Sequence, residues 1–237
     1  MTEFRQGRFE ILPLVIKNLL IINGIIYLAQ VVFRNTMSFS IENYFALHDI
    51  RSVFFKPHQL ISYLFLHGSF GHLFSNMLGL WLFGSKLEHY WGPKRFLIFY
   101  MLCGIGAGVL HLGTLYIENN PIVEIFRTFP IEKQDELLYN PLFRLNTATL
   151  GASGAIFGCL FAFGYLFPNT TIFVPMMMLP IPIKAKWLVI LYGVVELQQG
   201  IKNSAGDNIA HWAHLGGALV GFLLVFYWNK TNRRTFY

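Results

Sequence analysis

A run of apolar residues with few charges leaves a polypeptide little choice. Backbone N–H and C=O groups removed from water must pair within the run, and a bilayer-spanning helix does this over about 20 residues. Six such runs punctuate this chain: about Pro13 to Phe33, Gln59 to Phe83, Phe96 to Tyr116, Leu150 to Phe167, Ala185 to Gln199 and Ile209 to Trp228. The fold expected is all-α, a polytopic membrane bundle of six transmembrane helices in the lipid bilayer. Only 13% of the 237 residues are charged and 54% are hydrophobic, which excludes an ordinary soluble domain. The spans fill so much of the chain that one integral domain over 1–237 is expected. No small-x-small cleavage site follows the first run, so it reads as helix 1 and not as a signal peptide.

Between the runs, residues 34–58 form a loop and residues 84–95 a short basic turn. Residues 117–148 are the most acidic stretch, expected outside the bilayer with a short surface helix near Ile131 to Leu138. Residues 172–183 are apolar, yet Pro175, Pro180 and Pro182 break them, which predicts an interfacial hairpin in place of a span. Cys103 and Cys159 lie inside apolar runs, where a structural disulfide is not expected.

The net charge of +6 sits at the ends of apolar runs instead of along one face, which argues for membrane orientation and against nucleic acid. Arg5, Arg8, Lys17, Lys86, Lys94, Arg95, Lys184, Lys186, Lys230, Arg233 and Arg234 fall on the side of the N-terminus, while acids such as Asp49, Glu118, Glu124, Asp135 and Asp207 collect on the other. Both termini are therefore expected in the cytoplasm, with residue 153 entering the bilayer from the outer side.

That residue is a serine, in Leu150-Gly151-Ala152-Ser153-Gly154-Ala155-Ile156-Phe157-Gly158. Small residues are common where membrane helices pack, so Gly-x-Ser-Gly alone reads as packing. It is also not the Gly-x-Ser-x-Gly elbow of soluble hydrolases. A nucleophile needs a base and donors for an oxyanion, and two other runs supply them. In the last, His214 shares a helix face with Ala210, Gly217, Ala218 and Gly221. Packing of that strip on Gly154 and Gly158 would bring His214 to Ser153. In the second, His72 and Asn76 lie four apart, with Gly79 on the same face. His67 is expected at the outer surface as support for the loop, and His211 nearer the surface as a ligand or interface residue. Glu196, close to the end of helix 5, reads as a solvated charge, which leaves a Ser153/His214 dyad with no orienting carboxylate. His67, His72, His211 and His214 form no His-Glu-x-x-His pattern and lack a carboxylate, so no metal site is expected.

His72-x-x-x-Asn76, Gly151-Ala152-Ser153-Gly154 and Ala213-His214-x-x-Gly217-x-x-x-Gly221, in this order, resemble the rhomboid intramembrane serine proteases over roughly residues 55 to 228. The first loop lacks the Trp-Arg pair seen in many members. The resemblance implies Ser153 as nucleophile, His214 as general base, and His72, Asn76 and the Ser153 backbone N–H as the oxyanion hole. His67, Gly151, Gly154, Gly217 and Gly221 would support them. It further implies hydrolysis of a peptide bond in or near a transmembrane helix of a membrane-protein substrate, without metal or cofactor, in a multi-pass protein taken to lie in a bacterial inner membrane. The competing expectation is a catalytically inactive rhomboid-like protein that binds or escorts membrane helices.

Overall fold

The computed structural model describes residues 11–36, 40–176, 179–202 and 209–231. Arg5, Arg8, Arg233, Arg234 and Asp207, which entered the charge argument, lie outside the described residues. Helix α1 covers Leu14–Thr36, and a short α2, Ile41–Phe45, follows it. The second apolar run is not one helix from Gln59 onward. It begins as α3, Gln59–Ser62, and a 3-10 turn, Tyr63–Phe65, and then leaves helical geometry before α4, Phe70–Gly79. Gly68 and Ser69 account for the break, because the Ser69 hydroxyl accepts the His72 N–H and caps a new helix. α4 continues through a π-helical turn, Leu80–Gly84, into α5, Ser85–Trp91. Residues 84–91 are therefore helical, and the turn is confined to Gly92, whose φ of 83° suits glycine, followed by Pro93 at the first position of α6.

α6 spans Pro93–Glu118. The acidic segment that follows carries two helices, α7 (Asn120–Arg127) and α8 (Ile131–Leu138); only the second was anticipated. α9 (Ser153–Leu166) leads to an antiparallel hairpin of β1 (Thr171–Met176) and β2 (Leu179–Lys184), in which Thr171 pairs with Lys184 and Pro175 with Pro180. The hairpin stands where the prolines predicted one and adds a two-stranded element to an otherwise helical bundle. α10 (Ala185–Lys202) and α11 (His211–Thr231) complete the described chain. Among the described residues, α1, α6 and α11 are long and apolar enough to cross a bilayer.

The core gathers where α6, α9 and α11 meet. Tyr100, Cys103 and Ala155 are fully buried there, and both cysteines are free thiols. Glycine sets how near the helices come. A Cβ on Gly221 would lie 2.6 Å from the Gly158 carbonyl oxygen, and one on Gly217 would overlap the Gly154 carbonyl. The α9/α11 seam is thus backbone against backbone. Elsewhere Glu88 is buried: its two oxygens accept the N–H groups of Val15 and Ile16, each at 2.9 Å. These are orphan donors of the first turn of α1, for which a carboxylate is the complementary partner.

The loop after α1 is pinned by polar contacts. Gln30 Nε2 and the Arg34 guanidinium donate to Glu42, and Gln30 Oε1 accepts the His67 N–H. Asp49 accepts from Arg51 and from Asn119, while Arg51 reaches the Leu115 and Tyr116 carbonyls at the end of α6. Burial pushes the Asp49 carboxyl up, but the Arg51 and Asn119 hydrogen bonds and the Arg51 charge outweigh it and hold the group below its ordinary value.

Candidate active site

α9 is only 14 residues long, and the chain reaches it in an irregular conformation. Such backbone is tolerated in an apolar interior only where protein satisfies its polar groups. Here Leu47 and Thr149 exchange both backbone hydrogen bonds at 2.8 Å, and the Gly151 N–H donates to the Tyr63 carbonyl at 2.9 Å. Gly151 has φ 130°, a conformation that disfavours side chains. The result sets Ser153 at the first position of α9, half-buried, among the first-turn backbone N–H groups, which an α-helix leaves without intrahelical acceptors.

Ser153 Oγ lies 2.7 Å from His214 Nε2. The seam of Gly154 and Gly158 on Gly217 and Gly221 produces this approach, since His214 is one turn above Gly217 on the same face of α11. Phe157, one turn beyond the serine, stacks on the His214 ring with centroids 4.3 Å apart and planes 7° from parallel. The Nδ1 side of the ring faces Glu196 Oε2 at 3.0 Å, and the same oxygen is 2.6 Å from His211 Nδ1.

His72 and Asn76 of α4 face the other side of the serine loop. A Cβ on Gly151 would lie 2.8 Å from His72 Nε2 and 3.7 Å from Asn76 Nδ2, so both groups abut the backbone just before Ser153. His72 Nδ1 accepts a long hydrogen bond, 3.5 Å, from the Gly68 N–H, which assigns the ring proton to Nε2 and makes that nitrogen a donor. Asn76 Nδ2 is buried with no hydrogen-bond partner among the described residues. A buried N–H without an acceptor is costly, and Asn76 Nδ2, with the His72 Nε2–H near it beside the serine, suits a place for an anionic oxygen.

Comparison with known proteins bears on what this arrangement belongs to. The family model for the Rhomboid domain matches residues 55–230. The chain belongs to the rhomboid family. This rhomboid is 34% identical over 174 residues to Rhomboid protein 1, mitochondrial, of Saccharomyces cerevisiae, a match covering 73% of the chain and 42% of the yeast protein. It is 29% identical over 184 residues to RHOMBOID-like protein 12, mitochondrial, of Arabidopsis thaliana, covering 76% and 48%. With Rhomboid protease GluP of Bacillus subtilis it shares 28% over 165 residues, covering 69% and 24%. The chain spans less than half the length of these relatives. Mitochondrial, plant and bacterial proteins stand side by side among them, so the family fixes an integral membrane protein and favours no single membrane.

Several expectations about this rhomboid's polar residues are corrected. Glu196 is not a solvated charge: it is 7% exposed and bonded to two imidazoles. His211 is buried on the same carboxylate instead of lying at the surface. His67 is fully buried, edge-on to His72 with ring centroids 5.1 Å apart. A carboxylate does therefore stand among the histidines. Glu196, His211 and His214 offer ligand atoms within 4.8 Å of one another, a donor set that could hold a metal ion. The separations of 2.6 and 3.0 Å between the carboxylate oxygen and the two Nδ1 atoms are hydrogen-bond distances.

Proposed function

We propose that this rhomboid is an intramembrane serine endopeptidase that hydrolyses peptide bonds in or near transmembrane helices of membrane-protein substrates. The observation that carries the reading is the 2.7 Å contact between Ser153 Oγ and His214 Nε2, with His72 Nε2 and Asn76 Nδ2 against the Gly151 backbone just before the serine. In this scheme the Ser153 proton passes to His214 Nε2 as Oγ bonds to the scissile carbonyl carbon. The oxyanion is received by Asn76 Nδ2, His72 Nε2–H and the Ser153 backbone N–H. His214 then gives the proton to the leaving amine, and the C–N bond breaks to leave an acyl-enzyme. A water molecule, deprotonated by His214, releases the acid and restores the serine. His67 backs the His72 ring, while Gly151, Gly154, Gly217 and Gly221 set the spacing.

The proposal includes one domain over 1–237, with its core at 55–228, and six spans with both termini on the cytoplasmic side. Under that topology Ser153 opens toward the outer face. Fluorophosphonate labelling of the full chain in detergent tests the chemistry. Labelling that disappears in Ser153→Ala and His214→Ala supports an activated serine with His214 as its base. A folded parent that does not label would reject the protease and favour a protein that only holds membrane helices.

A further inference from the structure

We propose that Glu196 is a positioning residue that holds His214 in the tautomer able to take the serine proton, so that the site works as a Ser153–His214–Glu196 relay steadied by His211. The inference rests on the protease reading and extends it to a residue on α10.

A carboxylate oxygen can only accept. Glu196 Oε2, 3.0 Å from His214 Nδ1, therefore calls for a proton on that nitrogen. In a neutral ring this leaves the Nε2 lone pair facing the Ser153 hydroxyl at 2.7 Å, the arrangement a general base needs. With the opposite tautomer, Nε2–H would point at the hydroxyl and no proton could move. Phe157 holds the plane of the ring by stacking, but stacking cannot choose between the two nitrogens. Of the polar groups at the ring, the carboxylate is the one that makes the choice.

Glu196 is itself fixed. His211 Nδ1 donates to the same oxygen at 2.6 Å, and all three residues are buried. One turn further along α10, a Cβ on Gly200 would lie 3.3 Å from the Trp212 ring and 3.5 Å from His211 Cβ. α10 and α11 thus come together at the level of the carboxylate. When the serine proton arrives on His214, the new imidazolium faces an anion in an apolar setting, where the attraction is much stronger than in water. Among the described residues, the titratable groups around the ring are Glu196 from α10, His211 from α11, His72 from α4 and His111 from α6, beside Ser153 of α9. Glu196 is the anion among them.

The test compares parent, Glu196→Gln and Glu196→Asp in full-length protein, by fluorophosphonate labelling resolved into inhibitor affinity and maximal rate, with thermal unfolding beside it. Glu196→Gln can turn its amide toward Nδ1 and favour the wrong tautomer, so its maximal rate should fall by at least about 30-fold with affinity within about twofold. Glu196→Asp, which restores the anion, should recover to within about tenfold of the parent. The histidine 15N spectrum adds a signature: Nδ1–H for His214 in the parent and a mixture in Glu196→Gln. A parent that labels at Ser153 beside a Glu196→Gln variant that labels equally fast overturns the relay alone. So does a loss that merely follows the unfolded fraction and that Asp does not restore. A folded parent that fails to label overturns the relay together with the protease reading.

Discussion

Alanine at Gly221 is a sharp test of how the seam between α9 and α11 sets the site. The added Cβ would stand 2.6 Å from Gly158 O, 2.7 Å from Gly158 Cα and 2.9 Å from Gly158 C. All three atoms are backbone, so no side-chain rotation relieves the clash. Restoring an ordinary separation of 3.4 Å requires the helices to part by about 0.8 Å at that level. Gly221 is two turns from His214, and a rigid helix carries much of that displacement to the imidazole. Added to the 2.7 Å between His214 Nε2 and Ser153 Oγ, it takes the pair out of hydrogen-bond range. A misplacement of this order slows chemistry about 100-fold, while overpacking costs about 1–3 kcal/mol of stability. Gly24→Ala on α1, where nothing lies within 4 Å of the new Cβ, is the control and should gain up to about 1 kcal/mol. The assay pairs fluorophosphonate labelling rate with thermal unfolding in one detergent. Labelling by a folded Gly221→Ala within twofold of the parent would refute the claim that backbone contact sets the geometry of the site.

Two further outcomes follow from polar contacts away from the serine. Glu88→Ala leaves the Val15 and Ile16 N–H groups without their acceptor and should lower stability by about 2–4 kcal/mol in an SDS titration; an unmoved midpoint would deny the cap its role, and the folded fraction should label as the parent does. Asp49 has its carboxyl held below the ordinary value of 3.8, so the stability it confers is complete above that pH and is lost as pH falls through the lower folded value; Asp49→Asn should flatten this acid limb, and an identical limb in the variant would count against the Arg51–Asn119 anchor.

The long helices were legible because apolar runs of bilayer length have one good solution, and the Ser153–His214 approach because small residues marked matching faces on two of them. The break before α4 was signalled by Gly68-Ser69, a cap sequence, but an unbroken apolar run on either side outweighed it. Glu196 was missed for another reason. A single carboxylate near the end of a span reads as solvated, and whether it is buried depends on which face of α10 meets α11. The pair Glu196 and Gly200, four apart, held that information: glycine marks the face of close approach, and the carboxylate lies on it. α7 went unseen because its sequence, Asn120–Arg127, sits in the part of the acidic stretch before Ile131, which reads as loop.

The Glu88 contact bears on the order in which the protein is made. The acceptor of the Val15 N–H lies 73 residues downstream, so when α1 leaves the ribosome the Glu88 carboxylate that caps its first turn has not yet been made. Those N–H groups must stay hydrated near the headgroups until α5 has been synthesised and delivers its carboxylate. Seating of α1 against the bundle is thus deferred until the chain has returned to the same membrane face. Insertion of the first helix and completion of its cap are expected as separate events in biogenesis.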